Sequence, residues 1–233
     1  MDIPLNPRQE IEEMLRQDNL EGLLRRAGEL HGHFCPYLAL GVRAAHLGLK
    51  ELGLPKSTGM EEIVAIIETN NCFSDGVQFV TGCTFGNNGL IFKDLGKTAV
   101  TIATRQGKGV RLSLLPDYQE RFNERHPESA ALFERIVVRR EEPTPEEREK
   151  MARLWAESSF AQLSIPAEEL FAIQHLQVQV PPYAPIFASV QCALCGEKVM
   201  ETRARIKDGQ PVCLLCAGAE HYQLDGAGIK VVH

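Results

Sequence analysis

Residues 31–35, His-Gly-His-Phe-Cys, set two imidazoles and a thiol within five positions, and a proline follows at once. In an irregular segment, side chains at i, i+2 and i+4 can turn to one side, so His31, His33 and Cys35 can converge. Imidazole and thiolate are both good ligands for zinc, copper, nickel or iron. A second stretch, ETNNCFSDG at residues 68–76, contributes Cys72 and Asp75. Cys72 lies just before a predicted helix N-terminus, whose positive end stabilises a thiolate and suits the residue as ligand or nucleophile. Asp75 is read as a helix cap, a group that orients a histidine, or a ligand. Cys83 follows Gly82 at the expected helix end and is left between a packing role and a place in the site. The catalytic candidates are thus Cys72, Asp75 and Cys35. The candidate binding set is His31, His33, Cys35, Cys72 and Cys83. The neighbouring TGCTFGNNG lacks the spacing of a phosphate-cradling loop, so its glycines are read as turn formers.

The tail carries a stronger signal. Cys192, Cys195, Cys213 and Cys216 form C-x2-C-x17-C-x2-C, with an Asp-Gly turn at 208–209 between the pairs. A hairpin folding the pairs together gives the tetrahedral four-thiolate set that zinc accepts, closed and therefore structural. A redox dithiol would need only one pair. Residues 190–217 hold four basic and three acidic side chains. That balance argues against a phosphate-binding module, although Arg203, Arg205 and Lys207 are expected on one strand face.

The elements that must position these groups follow from pattern and composition. The chain has 233 residues and a net charge of −6, which gives no general field toward nucleic acid or anionic membrane. No apolar run approaches the roughly 18 residues of a membrane span. The start, MDIPLNPRQE, lacks the features of a signal peptide, so a cytoplasmic location is expected. Seven cysteines in a reducing compartment read as ligands, nucleophiles or buried thiols, and their split into three early and four late suggests two modules. We take these as residues 1–183 and 184–233.

Asn6 is read as an N-cap with Pro7 at the first helical position, and residues 20–30 as a second helix running into His31. Residues 36–52 are apolar nearly all round, which predicts a central, buried helix. IVAIIE at 63–68 is β-branched and reads as a buried strand. Ser74 offers an N-cap for a two-turn helix ending at Gly82. Residues 89–115 read as three strands, residues 117–165 as helical with a capping box at Thr144–Glu147, and residues 171–180 as a strand. PPYAP at 181–185 is a stiff linker. Helices precede, follow and interrupt the strands, which predicts an α+β fold with a mixed sheet core packed by helices.

HGHFCPYLALG, ETNNCFSDGVQFVTGCTFGNNGLIFKDLGK and the four-cysteine tail together resemble the FmdE-like proteins. These are named for a component of molybdenum- or tungsten-dependent formylmethanofuran dehydrogenase. The resemblance covers residues 20–115 and 190–217. It implies an α+β core, a treble-clef-type zinc finger, a homodimer, and a cleft lined by His31, His33, Cys35, Cys72 and Asp75, with Cys83 from the Thr-Gly-Cys-Thr element. Tyr37 departs from the family pattern, which has glycine there, and is expected to narrow the cleft. Three functions compete: an accessory protein that handles metal or sulfur for a molybdenum or tungsten enzyme, a thiol- or metal-dependent enzyme, and a zinc-finger interaction protein without catalysis. Zinc is expected in the tail, with a second transition metal at the core cleft in the first two readings. Neither membrane nor nucleic acid is an expected partner.

Overall fold

The computed structural model describes residues 5–54 and 61–233. The chain divides into two compact units, Met1–Pro181 and Pro182–His233. The first unit begins with helices α1 (Gln9–Arg16), α2 (Leu20–His31) and α3 (Pro36–Leu52). Asn6 does not cap α1. Its side chain accepts instead from the Arg8 amide at 3.0 Å, an Asx turn that delays the helix to Gln9. The Asn19 side chain accepts from the Gly22 amide and starts α2. Gly32 ends α2 at φ 88°, a backbone state that glycine adopts without strain.

Strand β1 (Ile63–Ile67) is buried along its whole length and leads to α4 (Cys72–Thr81). Then come β2 (Leu90–Phe92), β3 (Ala99–Thr104) and β4 (Lys108–Leu114). Beyond them lie α5 (Tyr118–Arg125), α6 (Pro127–Leu132), a π-helical stretch Phe133–Val138, α7 (Pro145–Ala161) and β5 (Phe171–Gln177). The predicted capping box starts α7: Thr144 and Glu147 each accept from the other's backbone amide. The five strands form one mixed sheet ordered β2-β1-β3-β4-β5. Only β1 and β2 pair in parallel. The fold is α+β, as the segregation of strands and helices predicts.

One face of the sheet carries α3, which is buried on nearly every side by the strands, α2, α4 and α7. Its apolar girdle is thus used up within one chain. On the opposite face, Val64, Ile66 and Ala103 are covered by Val178 and Val180. The predicted strand 171–180 therefore pairs only to Gln177. Past that point the Val178 amide bonds to the Gly107 carbonyl, and its alternating valines fold over the back of the sheet.

The second unit contains β6 (Ser189–Gln191), β7 (Lys198–Met200), β8 (Ala204–Lys207), β9 (Gln210–Cys213), the short α8 (Leu214–Ala217), β10 (His221–Asp225) and β11 (Gly228–Val232). These pair as three two-stranded hairpins. Units this small need a staple, since a lone hairpin is marginal in water. Among the described residues, no helix is long and apolar enough to cross a membrane.

Candidate functional site

Helix α4 starts at Cys72, three residues earlier than the Ser74 N-cap predicts. Asn71 is the cap: its side chain accepts from the Phe73 amide at 3.0 Å. Ser74 is buried and donates to the Thr69 carbonyl instead. Cys72 therefore occupies the first helical position, where the positive helix end favours a thiolate. Cys35 stands in the N-cap position of α3 with φ −148°, and Pro36 fixes the first turn. Two helix N-termini thus meet at two sulfurs.

They can meet because α3 and α4 cross at paired glycines. A Cβ on Gly41 would lie 2.0 Å from the Phe73 carbonyl oxygen, and one on Gly76 would lie 2.5 Å from that of Leu38. Any larger residue at either position forces the helices apart. This crossing was not evident in the sequence, although both glycines sit mid-helix, where they cost stability and so ask for a reason.

The ligand atoms of His31, His33, Cys35 and Cys72 all lie within 4.8 Å of one another. His31 is held by its Nδ1–H, which donates to Asp75 Oδ2 at 2.7 Å. That bond leaves Nε2 facing the sulfurs, 3.9 Å from Cys35 Sγ. A carboxylate behind a ligating imidazole fixes the tautomer and raises ligand basicity. Asp75 is thus the orienting group among the roles open to it. The Cys35 thiol donates to the Cys72 sulfur. This bond, helped by the charge of His31 and opposed by burial, brings the Cys72 thiol down to about 6. The same bond and burial push the Cys35 thiol far up. The shift favours thiolate character at Cys72, the form in which a thiol ligates a cation.

Cys83 is not brought to this cluster. It lies beyond the far end of α4, buried, with its sulfur 3.8 Å from the Ile63 carbonyl. Burial pushes its thiol up to about 11. Gly82 ends the helix at φ 73°, so the chain turns away and Cys72 and Cys83 occupy opposite ends. Cys83 packs within the buried core, apart from the histidine–cysteine cluster.

Helix α7 and the turn after it hold the His31–Pro36 loop from outside. The Phe34 and Phe160 rings meet edge to face at 5.2 Å. Trp155 lies 5.7 Å from the His33 ring, centroid to centroid. The buried Gln162 side chain donates to the Pro36 carbonyl. Tyr37 is partly buried, and its hydroxyl donates to Gln119 Oε1 at 3.0 Å. Neither Trp155 nor Gln162 carries a local motif that would mark it for this role.

Tetrahedral zinc with bonds of about 2.0–2.3 Å spaces its ligands about 3.3–3.8 Å apart. The core set, two nitrogens and two sulfurs, needs a contraction of at most about 1.5 Å to match, and its chemistry suits zinc or iron. The finger set fits equally: Cys192, Cys195, Cys213 and Cys216 present four sulfurs within 4.8 Å of one another. The Cys213 amide donates to Cys192 Sγ at 3.3 Å and the Cys216 amide to Cys213 Sγ at 3.4 Å. Backbone donors of this kind pull the Cys192 thiol down to about 6. Amides aimed at sulfur are what a thiolate–zinc knuckle needs to spread its charge.

A curated relative from Archaeoglobus fulgidus, described as a probable S-adenosyl-L-methionine-binding protein, is 44% identical over 223 residues. The match takes in 94% of this chain and 58% of the relative, so the chain spans little more than half of that protein. A solved structure from Syntrophus aciditrophicus, described as a tungsten formylmethanofuran dehydrogenase FmdE-like protein, superposes with a TM-score of 0.56. It covers 85% of this chain and 92% of its own at 23% identity, a likeness of fold. Residues 185–222 match the prokaryotic dksA/traR C4-type zinc finger, so the tail is a four-cysteine zinc finger. Residues 30–172, which carry the whole histidine–cysteine cluster, match the family described as FmdE, molybdenum formylmethanofuran dehydrogenase operon, and the chain belongs to that family.

Proposed function

We propose that the core domain, residues 1–183, binds one transition-metal ion through His31, His33, Cys35 and Cys72. We further propose that the protein is a cytoplasmic metal-handling accessory to a molybdenum or tungsten enzyme, with residues 184–233 as its structural zinc finger. The observation that carries this reading is the convergence of four donor atoms within 4.8 Å, backed by Asp75 on His31. A purely structural site would be sealed. Here His33 is exposed, and His31 and Cys72 are only partly covered, so an ion can enter and leave. The family's association with a formylmethanofuran dehydrogenase operon supports the choice of partner. When bound, the ion supplies Lewis acidity or a transferable charge. The chain's own residues orient the imidazoles, supply thiolates and keep the sulfurs partly dry. A homodimer belongs to the same proposal, now on family resemblance alone, because the apolar helix that suggested it is satisfied inside one chain.

The test is transfer. Protein loaded at the core site with a radioactive zinc isotope is mixed with metal-depleted formylmethanofuran dehydrogenase from the same cell. Movement of the label only from core-intact protein, and stable association of the two on sizing, supports the reading. Label that stays put, with no association, rejects the accessory role. A second reading is favoured by Cys72 itself, a half-buried thiol at a helix N-terminus beside Cys35 and His31. In that reading the protein is a thiol-dependent enzyme with Cys72 as nucleophile and His31–Asp75 as its proton-handling pair. Fast alkylation of Cys72 in metal-replete protein would favour this enzyme, since a bound ion masks the thiolate.

A further inference from the structure

The four core donors are not held alike. Cys35 is fixed by its N-cap position and Cys72 by the first turn of α4. His31 is fixed by the 2.7 Å bond to Asp75. His33 has no such anchor: among the described residues its ring makes no hydrogen bond, and it is the exposed member of the set. Its ring neighbours are His31, with centroids 4.4 Å apart, and Trp155, 5.7 Å away and tilted by 35°. Trp155 is itself held from behind by Phe133, 6.1 Å away on the π-helical stretch, and by its packing on the core.

We propose that Trp155 is a positioning residue that keeps His33 turned toward the sulfurs, and that His33 is the exchangeable ligand through which the core ion is loaded and released. This rests on the metal-binding reading above. The physical basis is rotamer restriction. An exposed imidazole free to turn about χ1 and χ2 samples several staggered states, of which few point its nitrogen at the cluster. An indole wall on one side removes the outward states without touching the metal. Because an aromatic contact is worth only about 0.5–1.5 kcal/mol, His33 can still swing out at a useful rate. A carboxylate behind it, as on His31, would hold it more tightly. Helix α7 then acts as a clamp on one ligand out of four, while the other three remain in place to hold the departing or arriving ion.

The same residue reports on the step, because Trp155 is the chain's sole tryptophan. Cobalt(II) loaded at the core should quench its fluorescence and give the visible bands of a mixed nitrogen–sulfur site. The test compares wild type, Trp155→Ala, Trp155→Phe and His33→Ala, each in the full chain. The rate at which a chelator strips cobalt from the core is followed through those bands. An aromatic contact of about 0.5–1.5 kcal/mol corresponds to a factor of about 2–10, so Trp155→Ala should release about two- to tenfold faster than wild type. Trp155→Phe should restore the slow rate, because phenyl keeps the wall. His33→Ala should release at least as fast as Trp155→Ala and shift the bands toward sulfur ligation. Melting of the core should change little in Trp155→Phe. Wild-type release from Trp155→Ala, or a Phe variant as fast as Ala, would overturn the positioning role while leaving the metal site standing. Wild-type protein with no cobalt bands beyond those of the finger would overturn both.

Discussion

Gly76→Ala tests how the fold builds the site. The added methyl would lie 2.5 Å from the Leu38 carbonyl oxygen and 2.6 Å from the Val42 amide nitrogen. Both are backbone atoms of α3, which cannot rotate aside. Ordinary non-bonded contacts need about 3.5 Å, so α4 must retreat by about 1 Å. Overpacking of this kind costs about 1–3 kcal/mol, offset by about 0.5–1 kcal/mol because alanine is the better helix former. A net loss of about 1–2 kcal/mol in a unit of this size lowers Tm by about 2–8 °C. The metal consequence is larger. Position 76 is one turn from Cys72, so most of the retreat reaches its sulfur, while metal–ligand distances tolerate about 0.2 Å. Core metal should therefore fall well below one equivalent while the finger keeps its zinc. Metal analysis and thermal melting of Gly76→Ala are compared with Gly86→Ala, where the nearest atom to the new methyl is 4.0 Å away. Normal core metal and an unchanged Tm in Gly76→Ala would refute the close crossing of α3 and α4.

Three other perturbations follow from the same geometry. Cys195→Ala should release the finger zinc and unfold residues 184–233 to protease while the core melts as before, since metal binding in such fingers is itself folding free energy of about 10 kcal/mol or more; full zinc and full protection in the variant would reject the four-cysteine assignment. Asp75→Asn should weaken core metal binding about 10–100-fold with little change in Tm, read by competition with a chelator; an unchanged affinity would remove Asp75 from its orienting role. The Arg111 guanidinium bonds Glu68 at 2.7 and 2.8 Å and holds its carboxyl below the ordinary value of 4.5. A depressed folded-state value means stability that is complete above about pH 4.5 and lost as pH falls through the folded value. Arg111→Met should cost about 1.5–3 kcal/mol at pH 7 and flatten that acid limb, measured by urea melts from pH 7 to 3, and an unaltered acid limb would reject the pairing.

The legible parts of this sequence were those with local causes. Apolar residues all round 36–52 announced the central helix, and β-branched 63–67 announced the buried strand. The Cys-x-x-Cys pairs announced the finger. His31, His33, Cys35 and Cys72 were visible because ligand types crowd a short segment, and Asp75 because it shares a helix turn with Cys72. Capping was less legible: Asn71 and Ser74 are both good caps, and only tertiary burial of Ser74 decides between them. The sequence leaves Cys83 between packing and the site, and one residue of left-handed backbone at Gly82 places its thiol beyond the far end of the helix. The outer clamp was illegible. Trp155 and Gln162 reach the site across more than 100 residues of chain, and no spacing rule links them to His33 and Pro36.

The most direct measurement is the metal content of native, untagged protein, per chain, with ligand types read by X-ray absorption. The account predicts two equivalents: one bound by four sulfurs, lost in Cys195→Ala, and one bound by two nitrogens and two sulfurs, lost in Cys72→Ser with the finger intact. A single equivalent with four sulfurs, unchanged in Cys72→Ser, would contradict the core site, and His31 and His33 would then be hydrogen-bonded structural residues.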